Sequence, residues 1–191
     1  MPRRKLPRSF YARPAEVLAP DLLGKILVRR YRGKLRRARI VETEAYVGEH
    51  DLACHASRGR TNRTEVMFGP PGHAYVYLIY GMYDMLNIVA SVRGDAQAVL
   101  IRAAEPLDGW NAKLSGPGKL AKEMHITRAD NGKDLTGSEL FLEDDPRYVP
   151  KIQRTARIGV DYAGDWRHEL LRFIDAHSPA ISGPRRRPSN D

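Results

Sequence analysis

The order of apolar and polar residues along the chain predicts several short strands and few helices. Apolar runs, alternating or continuous, predict strands over 26–31, 37–46, 75–80, 85–91, 99–105 and 152–160. Short helical turns are predicted over 14–23, where Gly24 ends them, and over 119–124 behind Pro117. Strands joined by short turns, without an alternating strand–helix rhythm, indicate an α+β fold with a largely antiparallel sheet.

Both ends of the chain are basic, rich in arginine and proline, and poor in apolar side chains. We therefore expect residues 1–13 and 183–191 to be flexible arms, and residues 14–182 to form a single domain around one core. The arms serve either solubility or non-specific phosphate contact, and their composition does not choose between these two roles.

The excess of basic over acidic residues predicts a polyanionic partner. The 191 residues include 32 Lys and Arg against 23 Asp and Glu, a net charge of +9, which favours nucleic acid or an acidic membrane surface. No apolar run approaches the roughly 20 residues that a membrane-spanning helix needs, so we expect no membrane partner.

The basic amino terminus lacks the apolar segment of a secretory signal, and the one cysteine, Cys54, fits a reducing compartment. We expect a cytoplasmic, nucleoid-associated protein.

Two glutamates share one face of the predicted strand that carries RIVETEAY. Strict alternation places Ile40, Glu42, Glu44 and Tyr46 on the same side of this strand. This side is either a solvated face whose glutamates meet nearby arginines, or a pocket floor in which one glutamate is a general base. Spacing alone somewhat favours the solvated face.

Tyrosines are concentrated in the segment GPPGHAYVYLIYGMY, which holds four of the nine in the chain. Tyr75 and Tyr77 share one strand face, and core packing is the simple explanation for Tyr75. Tyr80 precedes Gly81 at the predicted tip of a hairpin. Because hairpin tips are exposed, stacking on bases or wedging between them explains Tyr80 better than core packing does.

Two loops are candidate phosphate contacts. In DLACHASRGRTNR, small polar residues separate Arg58, Arg60 and Arg63, and the alternative is an ordinary polar loop. In LSGPGKL, small residues lead into the predicted helix at Lys119, where free backbone N–H groups attract an anion. The same residues also form simple turns, so neither loop is specific by itself.

The sequence predicts neither a metal nor another cofactor. His50, Cys54 and His55 lie close together, but no second Cys or His cluster completes a tetrahedral zinc set. The glycines have neither the spacing of a Walker loop nor that of a dinucleotide-binding turn after a strand.

Taken together, these segments resemble the alkyladenine (3-methyladenine) DNA glycosylase family, in its bacterial type, whose members remove alkylated and deaminated purines. The matching stretches are RIVETEAYVGEHDLACH, MFGPPGHAYVYLIYGMYDMLN, AVLIRAAEPLDG, LSGPGKLAKEMHI, NGKDL and TARIGVDYAG. The resemblance covers about residues 15–182 and implies a single domain with a curved sheet and a protruding hairpin that inserts into DNA. It also implies a monomeric hydrolase that acts in base excision repair on damaged purines in double-stranded DNA. We expect this hydrolase to be monofunctional, because the lysines offer no obvious amine nucleophile.

The resemblance implies a role for each residue at a matched position. Glu44 would activate the attacking water, and Tyr80 would fill the gap that the flipped nucleotide leaves in the duplex. The base pocket would be formed by Tyr46, His55, Tyr77 and Asn87, with the base between the rings of Tyr46 and Tyr77. Contacts with the DNA backbone would come from Arg60, Arg63, Arg102 and Lys119.

Two positions depart from the family pattern, and one segment departs from its local periodicity. Thr64 stands where relatives more often carry Asn, and Cys54 replaces a small residue before the histidine. We expect both to affect substrate preference rather than catalysis. Residues 166–174 have apolar residues at helical spacing, but the resemblance implies an irregular strand there, and we adopt that interpretation.

Two other functions explain parts of the pattern. A non-catalytic module that binds single-stranded nucleic acid would use the same tyrosines and arginines. It leaves Glu42 and Glu44 unexplained, because acids in such a groove repel phosphate. A phosphate-ester hydrolase lacks the acidic or histidine cluster that would hold a metal. DNA glycosylase is therefore the function that we expect.

Overall fold

The structure, a computed structural model, describes residues 3–183 and contains one curled eight-stranded sheet. The strands are β1 (Ile26–Tyr31), β2 (Lys34–Tyr46), β3 (Ala74–Ile79), β4 (Tyr83–Ala90), β5 (Gln97–Pro106), β6 (Leu140–Glu143), β7 (Ile152–Thr155) and β8 (Arg172–Asp175). Their order is β3-β4-β5-β2-β1-β6, and the β7–β8 pair joins the sheet where β8 pairs with β2. Every one of these pairings is antiparallel, which confirms the predicted α+β class.

The helices are short and lie around the sheet. They are α1 (Arg8–Tyr11), α2 (Ala15–Asp21) and α3 (Pro117–Glu123), with 3-10 turns at His55–Arg58, Glu65–Phe68, Arg128–Asp130 and Gly164–His168. The predicted helical turns at 14–23 and 119–124 are confirmed as α2 and α3. Strand β6 and helix α1 were not predicted, because each is only four residues long.

The main core forms where α2 and α3 cover one face of the sheet. Leu18 of α2 and Leu120 of α3 are fully buried together with Ile88 of β4 and Ile101 of β5. The opposite face of β2 and β5 carries buried charged residues instead. The sheet therefore separates an apolar core from a polar site, and β2 contributes to both.

The amino-terminal segment is not the loose arm that its composition predicted. Leu6 and Tyr11 are both buried in the core, and the backbone of Lys5 bridges to Glu143. The Tyr11 ring lies against Gly72, where a Cβ would stand 2.6 Å from a ring carbon. The expectation was wrong for this segment because two well-spaced apolar residues are enough to anchor it. Of the predicted carboxyl-terminal arm, residues 184–191 lie outside the described residues.

The segment 166–174 follows the family resemblance rather than its own periodicity. A 3-10 turn covers Gly164–His168, and the chain then extends into β8. Strand β8 pairs with β2 on one side and with β7 on the other. Pairing with two neighbours favours an extended backbone here over the helix that the apolar spacing alone predicts. No helix within residues 3–183 is long and apolar enough to cross a membrane.

Substituting Gly72 tests how tightly the amino-terminal segment is packed. Gly72 has a φ of +75°, and a Cβ added there would clash with the Tyr11 ring. Gly94 has a φ of +92°, but no atom lies within 4 Å of the position that its Cβ would take. We expect Gly72→Ala to lower the free energy of unfolding by about 3 kcal/mol or more, through backbone strain and overpacking. Gly94→Ala, the matched control, should show only the strain, about 1 kcal/mol. Equal losses in urea unfolding would contradict the predicted packing of Tyr11.

Candidate active site

An irregularity in the β2–β5 ladder creates the polar face. The register passes from Ile40–Ala104 to Glu42–Ala103 and then to Thr43–Ile101, so Val41 and Arg102 have no register partner. Ile40 consequently lies in the main core, with Thr43 bonded to the carbonyl of Ala19 on the same side. The prediction that Ile40 shares a face with the glutamates was wrong, because strict alternation does not hold across a bulge.

The carboxylate of Glu44 is completely buried and held by three donors. Oε1 accepts the backbone N–H of Ile158 at 2.8 Å, while Oε2 accepts the Tyr46 hydroxyl at 2.9 Å and Arg102 Nη1 at 3.3 Å. An ionised carboxylate has about four acceptor positions, so one position on Oε1 has no protein donor. The orientation of the group is therefore fixed while it keeps the capacity to accept one more hydrogen bond.

Glu42 is equally buried but has a different environment. Its Oε1 accepts from Arg102 Nε at 3.0 Å, Arg172 Nε at 2.7 Å and the Ser182 hydroxyl at 3.0 Å. Its Oε2 accepts the backbone N–H of Ser182. With four donors from protein groups, Glu42 serves to hold two buried arginines. Neither glutamate lies on the solvated face that spacing alone favoured.

The structure places Arg102 between the two glutamates, and its implied contact with the DNA backbone stays a prediction. Its side chain is buried and bridges the two carboxylates, and Nη2 bonds to the Ser182 hydroxyl at 3.2 Å. The bulge in β5 turns Arg102 towards β2, and the guanidinium then pairs with the nearest carboxylates. The contact with Oε2 helps to orient Glu44.

A cavity of about 370 Å³ adjoins these carboxylates. This volume is within the range of about 300–1,000 Å³ that is usual for small-molecule sites. The predicted pocket residues come together in its wall: Tyr46, His55, Tyr77 and Asn87. Glu44 itself does not line the cavity. It lies behind three residues of the wall to which it is hydrogen-bonded: Tyr46, Arg102 and Ile158. The Asn87 side chain is fixed by a 3.2 Å bond from Nδ2 to the Tyr75 carbonyl.

The Tyr46 ring packs against a buried ion pair that the sequence did not reveal. The Arg157 guanidinium lies 4.9 Å from the centre of the Tyr46 ring and binds both oxygens of Asp51. Arg157 also donates to the carbonyl of Ala45 at 2.9 Å. Burial, then the charge of Glu44, raises the pKa of Tyr46 well above its ordinary value. Tyr46 is therefore a neutral phenol that donates to Glu44.

His55 forms one edge of the cavity as a neutral imidazole. Its Nδ1 lies 2.9 Å from the Tyr75 hydroxyl, and its ring meets the Tyr77 ring edge-on at 4.5 Å. Burial lowers the pKa of His55 to about 4, and the positive charges of Arg63 and Arg58 contribute to the decrease. At neutral pH the ring is therefore uncharged and can donate one hydrogen bond and accept another, with Nδ1 already paired with Tyr75.

Tyr80 stands at the tip of the β3–β4 hairpin, as predicted. Tyr80 and Gly81 both have positive φ, +52° and +69°, and Met82 N bonds to the Ile79 carbonyl at 3.1 Å. Positive φ at both central residues is the requirement of a type I′ turn, and Gly81 meets it without steric cost. The Tyr80 side chain is 82% exposed, although the residue also lines the cavity. An exposed aromatic thus marks the cavity entrance.

The remaining predicted contact residues lie on the surface. Arg60 pairs with Glu65, Arg63 lies over the Tyr77 ring at 5.1 Å, and Lys119 is exposed on the first turn of α3. Pro117, which opens α3, lines the cavity, so Lys119 is close to its entrance. Cys54 is buried in the cavity wall. Among residues 3–183, no group of three or more His, Cys, Asp or Glu side chains is arranged to hold a metal ion.

Sequence reasoning missed several residues on which the site depends. Arg157, Ile158 and Tyr162 belong to TARIGVDYAG, a stretch that carried the resemblance but received no roles. Tyr162 lines the cavity and bonds to the carbonyl of Ala53 at 3.3 Å. Arg172 and Ser182 had no sequence signal. An apolar pattern does not indicate which distant arginine neutralises a buried acid.

Comparison with known proteins assigns the class and then the family. Residues 9–179 match the family model described as methylpurine-DNA glycosylase. The class is therefore that of the DNA glycosylases, which hydrolyse N-glycosyl bonds. The chain belongs to the methylpurine-DNA glycosylase family.

Similar curated proteins agree with this assignment, and each carries the provisional name of 3-methyladenine DNA glycosylase. One from Methanocella arvoryzae is 53% identical and covers 93% of this chain and 95% of its own length. One from Myxococcus xanthus is 51% identical and covers 96% of this chain and 98% of its own length. One from Legionella pneumophila strain Corby is 49% identical and covers 94% of this chain and 98% of its own length.

The neutral state of His55 can be measured directly. We expect its ring resonances to titrate with a midpoint of about 4 in the folded protein. The unfolded value is about 6.5, so between these pH values the unfolded chain binds a proton that the folded chain does not. Protonation of the ring therefore favours the unfolded chain, so the free energy of unfolding decreases as the pH falls from about 6.5 towards 4.

Urea unfolding between pH 7 and pH 4 provides the second measurement. His55→Gln should flatten the pH dependence of the free energy of unfolding in this window, and substitution of the exposed His177 by Gln is the control. A midpoint above about 6 for His55 would show that its environment is not desolvated as described.

Proposed function

We propose that this DNA glycosylase flips alkylated or deaminated purines, of the 3-methyladenine type, out of duplex DNA and hydrolyses their bond to deoxyribose in base excision repair. The observation that carries the proposal is the fixed Glu44 carboxylate directly behind the wall of an aromatic cavity. A single-strand binding module would need neither the buried acid nor the cavity beside it. We further propose that the enzyme acts as a monomer on nucleoid DNA in the cytoplasm.

Glu44 acts as the general base in this proposal. Water at the free acceptor position of Oε1 attacks C1′ while the bond between C1′ and the purine nitrogen breaks. The water proton passes to Glu44, and the electron pair of the broken bond leaves with the purine. Positive charge that develops on the sugar is stabilised by the nearby carboxylate. The step yields a free purine and an intact abasic strand.

The aromatic residues account for base recognition. A flipped purine fits between Tyr46 and Tyr77, with His55 and Asn87 at its edges, because all four line the same cavity. A cationic alkylated purine gains a cation–π attraction there, about 1–2 kcal/mol when desolvated. Extrusion costs a few kcal/mol of lost stacking, which Tyr80 offsets in part by occupying the vacated space. Arg60, Arg63 and Lys119 contact phosphates near the cavity entrance.

Substitution of Glu44 tests the general base. Glu44→Gln keeps an acceptor for the Ile158 N–H but cannot take a proton, so base release should fall at least about a hundredfold while DNA affinity is nearly unchanged. The exposed Glu16→Gln is the matched control. Single-turnover release from a duplex with one defined lesion is the measurement. Activity within about tenfold of wild type would exclude Glu44 as the base.

The same reactions distinguish water attack from attack by an amine. Bifunctional glycosylases form a Schiff base with the sugar, so borohydride traps them on DNA. With the proposed mechanism, borohydride traps no adduct and the abasic strand stays intact. A trapped adduct that disappears with Lys119→Gln would overturn the water mechanism.

Tyr80→Ala tests insertion into the duplex. Loss of one aromatic stack is worth about 1–3 kcal/mol, so affinity for a duplex with an abasic analogue should fall about tenfold or more. Release from an already unpaired nucleotide should change less. Val149→Ala removes a similarly exposed apolar side chain, 79% accessible, outside the cavity wall. Unchanged affinity of the Tyr80 variant would contradict the insertion role.

A further inference from the structure

A second concave region adjoins the hairpin tip and has no role in the function proposed above. This side groove has a volume of about 810 Å³. One wall is the end of β1 and its turn, with Arg30, Tyr31 and Arg32, and the other is the end of α3, with Lys122 and His125. The groove reaches the hairpin at Met82 and Tyr83, which directly follow the Tyr80–Gly81 tip. The side groove is therefore continuous with the proposed DNA-inserting element.

The side groove carries positive charge without protein counterions. Arg30, Arg32 and Lys122 are exposed and make no ion pair among residues 3–183. The acidic residues of its lining, in contrast, are all paired: Asp84 with Arg128, Asp130 with Arg29 and Lys133, and Glu139 with Lys133. The unpaired charge of the groove is thus positive, which is complementary to phosphate.

A stacked pair of rings lies between these cations. The rings of Tyr31 and His125 are 4.8 Å apart and inclined by 28°, and Arg32 lies 5.2 Å from the centre of the Tyr31 ring. His125 follows the last turn of α3 with a φ of +51°, at a position where glycine is usual. Such strained backbone occurs preferentially at functional sites. Histidine at this position places an imidazole ring against Tyr31, which glycine would not do.

We propose that the side groove binds the sugar–phosphate backbone of the duplex that flanks the lesion while Tyr80 is inserted. Arg30, Arg32 and Lys122 contact successive phosphates, and the Tyr31–His125 stack packs against deoxyribose. The inference rests on the proposed insertion of Tyr80, because insertion brings the flanking duplex along the hairpin. It adds a second contact surface, separated from the base cavity by the hairpin and the start of α3.

Salt-dependent binding of a matched pair of double variants tests the proposal. Arg32→Gln/Lys122→Gln removes two groove cations, and Arg93→Gln/Lys151→Gln removes one arginine and one lysine exposed outside the groove. The slope of log affinity against log salt should decrease in magnitude by about 2 for the groove variant, about 0.9 for each phosphate that is no longer neutralised. The control variant should keep the wild-type slope.

Duplex length and strandedness sharpen this measurement. The difference between the two variants should be present on a long duplex with a central abasic analogue and disappear when this duplex is truncated on the flank that reaches the groove. Binding does not require base release, so a failure of the Glu44 mechanism leaves this test intact. Equal slopes for the two variants would overturn the proposal, as would a loss confined to single-stranded oligonucleotides.

His125→Gly separates DNA contact from a merely structural role. Glycine relieves the positive φ and keeps the backbone carbonyl that accepts from Arg29 at 3.0 Å. The melting temperature should therefore stay the same or rise, while affinity for the long duplex falls severalfold. A variant with lowered melting temperature and unchanged affinity would show that the ring stack serves the fold only, and this too would overturn the proposal.

Discussion

The guanidinium of Arg102 lies between two buried carboxylates, and the architecture of the site depends on this contact. Glu42 and Glu44 stand on the same face of β2, and two uncompensated charges there would carry a severe desolvation cost. Arg102 contacts both, while Arg172 and Ser182 complete the environment of Glu42. Glu44 is thereby left with one free acceptor position instead of being fully satisfied. The bulge that turns Arg102 towards β2 is thus as important for the proposed chemistry as the glutamate itself.

The interior and the surface differ in the sign of their charge. Among residues 3–183, the buried acids outnumber the buried arginines six to four, although the whole chain has a net charge of +9. The surface is therefore more positive than the composition indicates. Arg29, Arg102, Arg157 and Arg172 are committed to buried contacts, whereas Arg30, Arg32 and Lys122 remain exposed. A count of arginines from the sequence does not distinguish these two populations, because pairing is set by contacts between distant segments.

Much of the fold could be predicted from local pattern, but the site required the tertiary structure. Turn residues and strand-like runs located β1 to β5. Tyr80 was singled out as a candidate for base stacking, because core packing does not explain an aromatic residue at an exposed hairpin tip. Alternation failed at Ile40, since one bulged residue reverses the side on which every earlier residue points. It also failed for residues 5–11, where Leu6 and Tyr11 anchor a segment whose average composition resembles a flexible arm. The resemblance singled out the pocket tyrosines and Arg102, but Arg172 and Ser182, which complete the environment of Glu42, had no signal.

The donors that neutralise the two glutamates are distributed along the chain in a way that bears on synthesis. Ile158 follows Glu44 by 114 residues, and Arg172 and Ser182 follow Glu42 by 130 and 140. Chains emerge from the ribosome with the amino-terminal end first, so the central strand is made long before the groups that satisfy its acids. Until those groups arrive, β2 carries carboxylates that resist burial between its neighbours. Arg102 follows the glutamates by only 58 and 60 residues, so neutralisation of the pair begins with the middle of the chain, whereas the last donors to each carboxylate come from the carboxyl-terminal third.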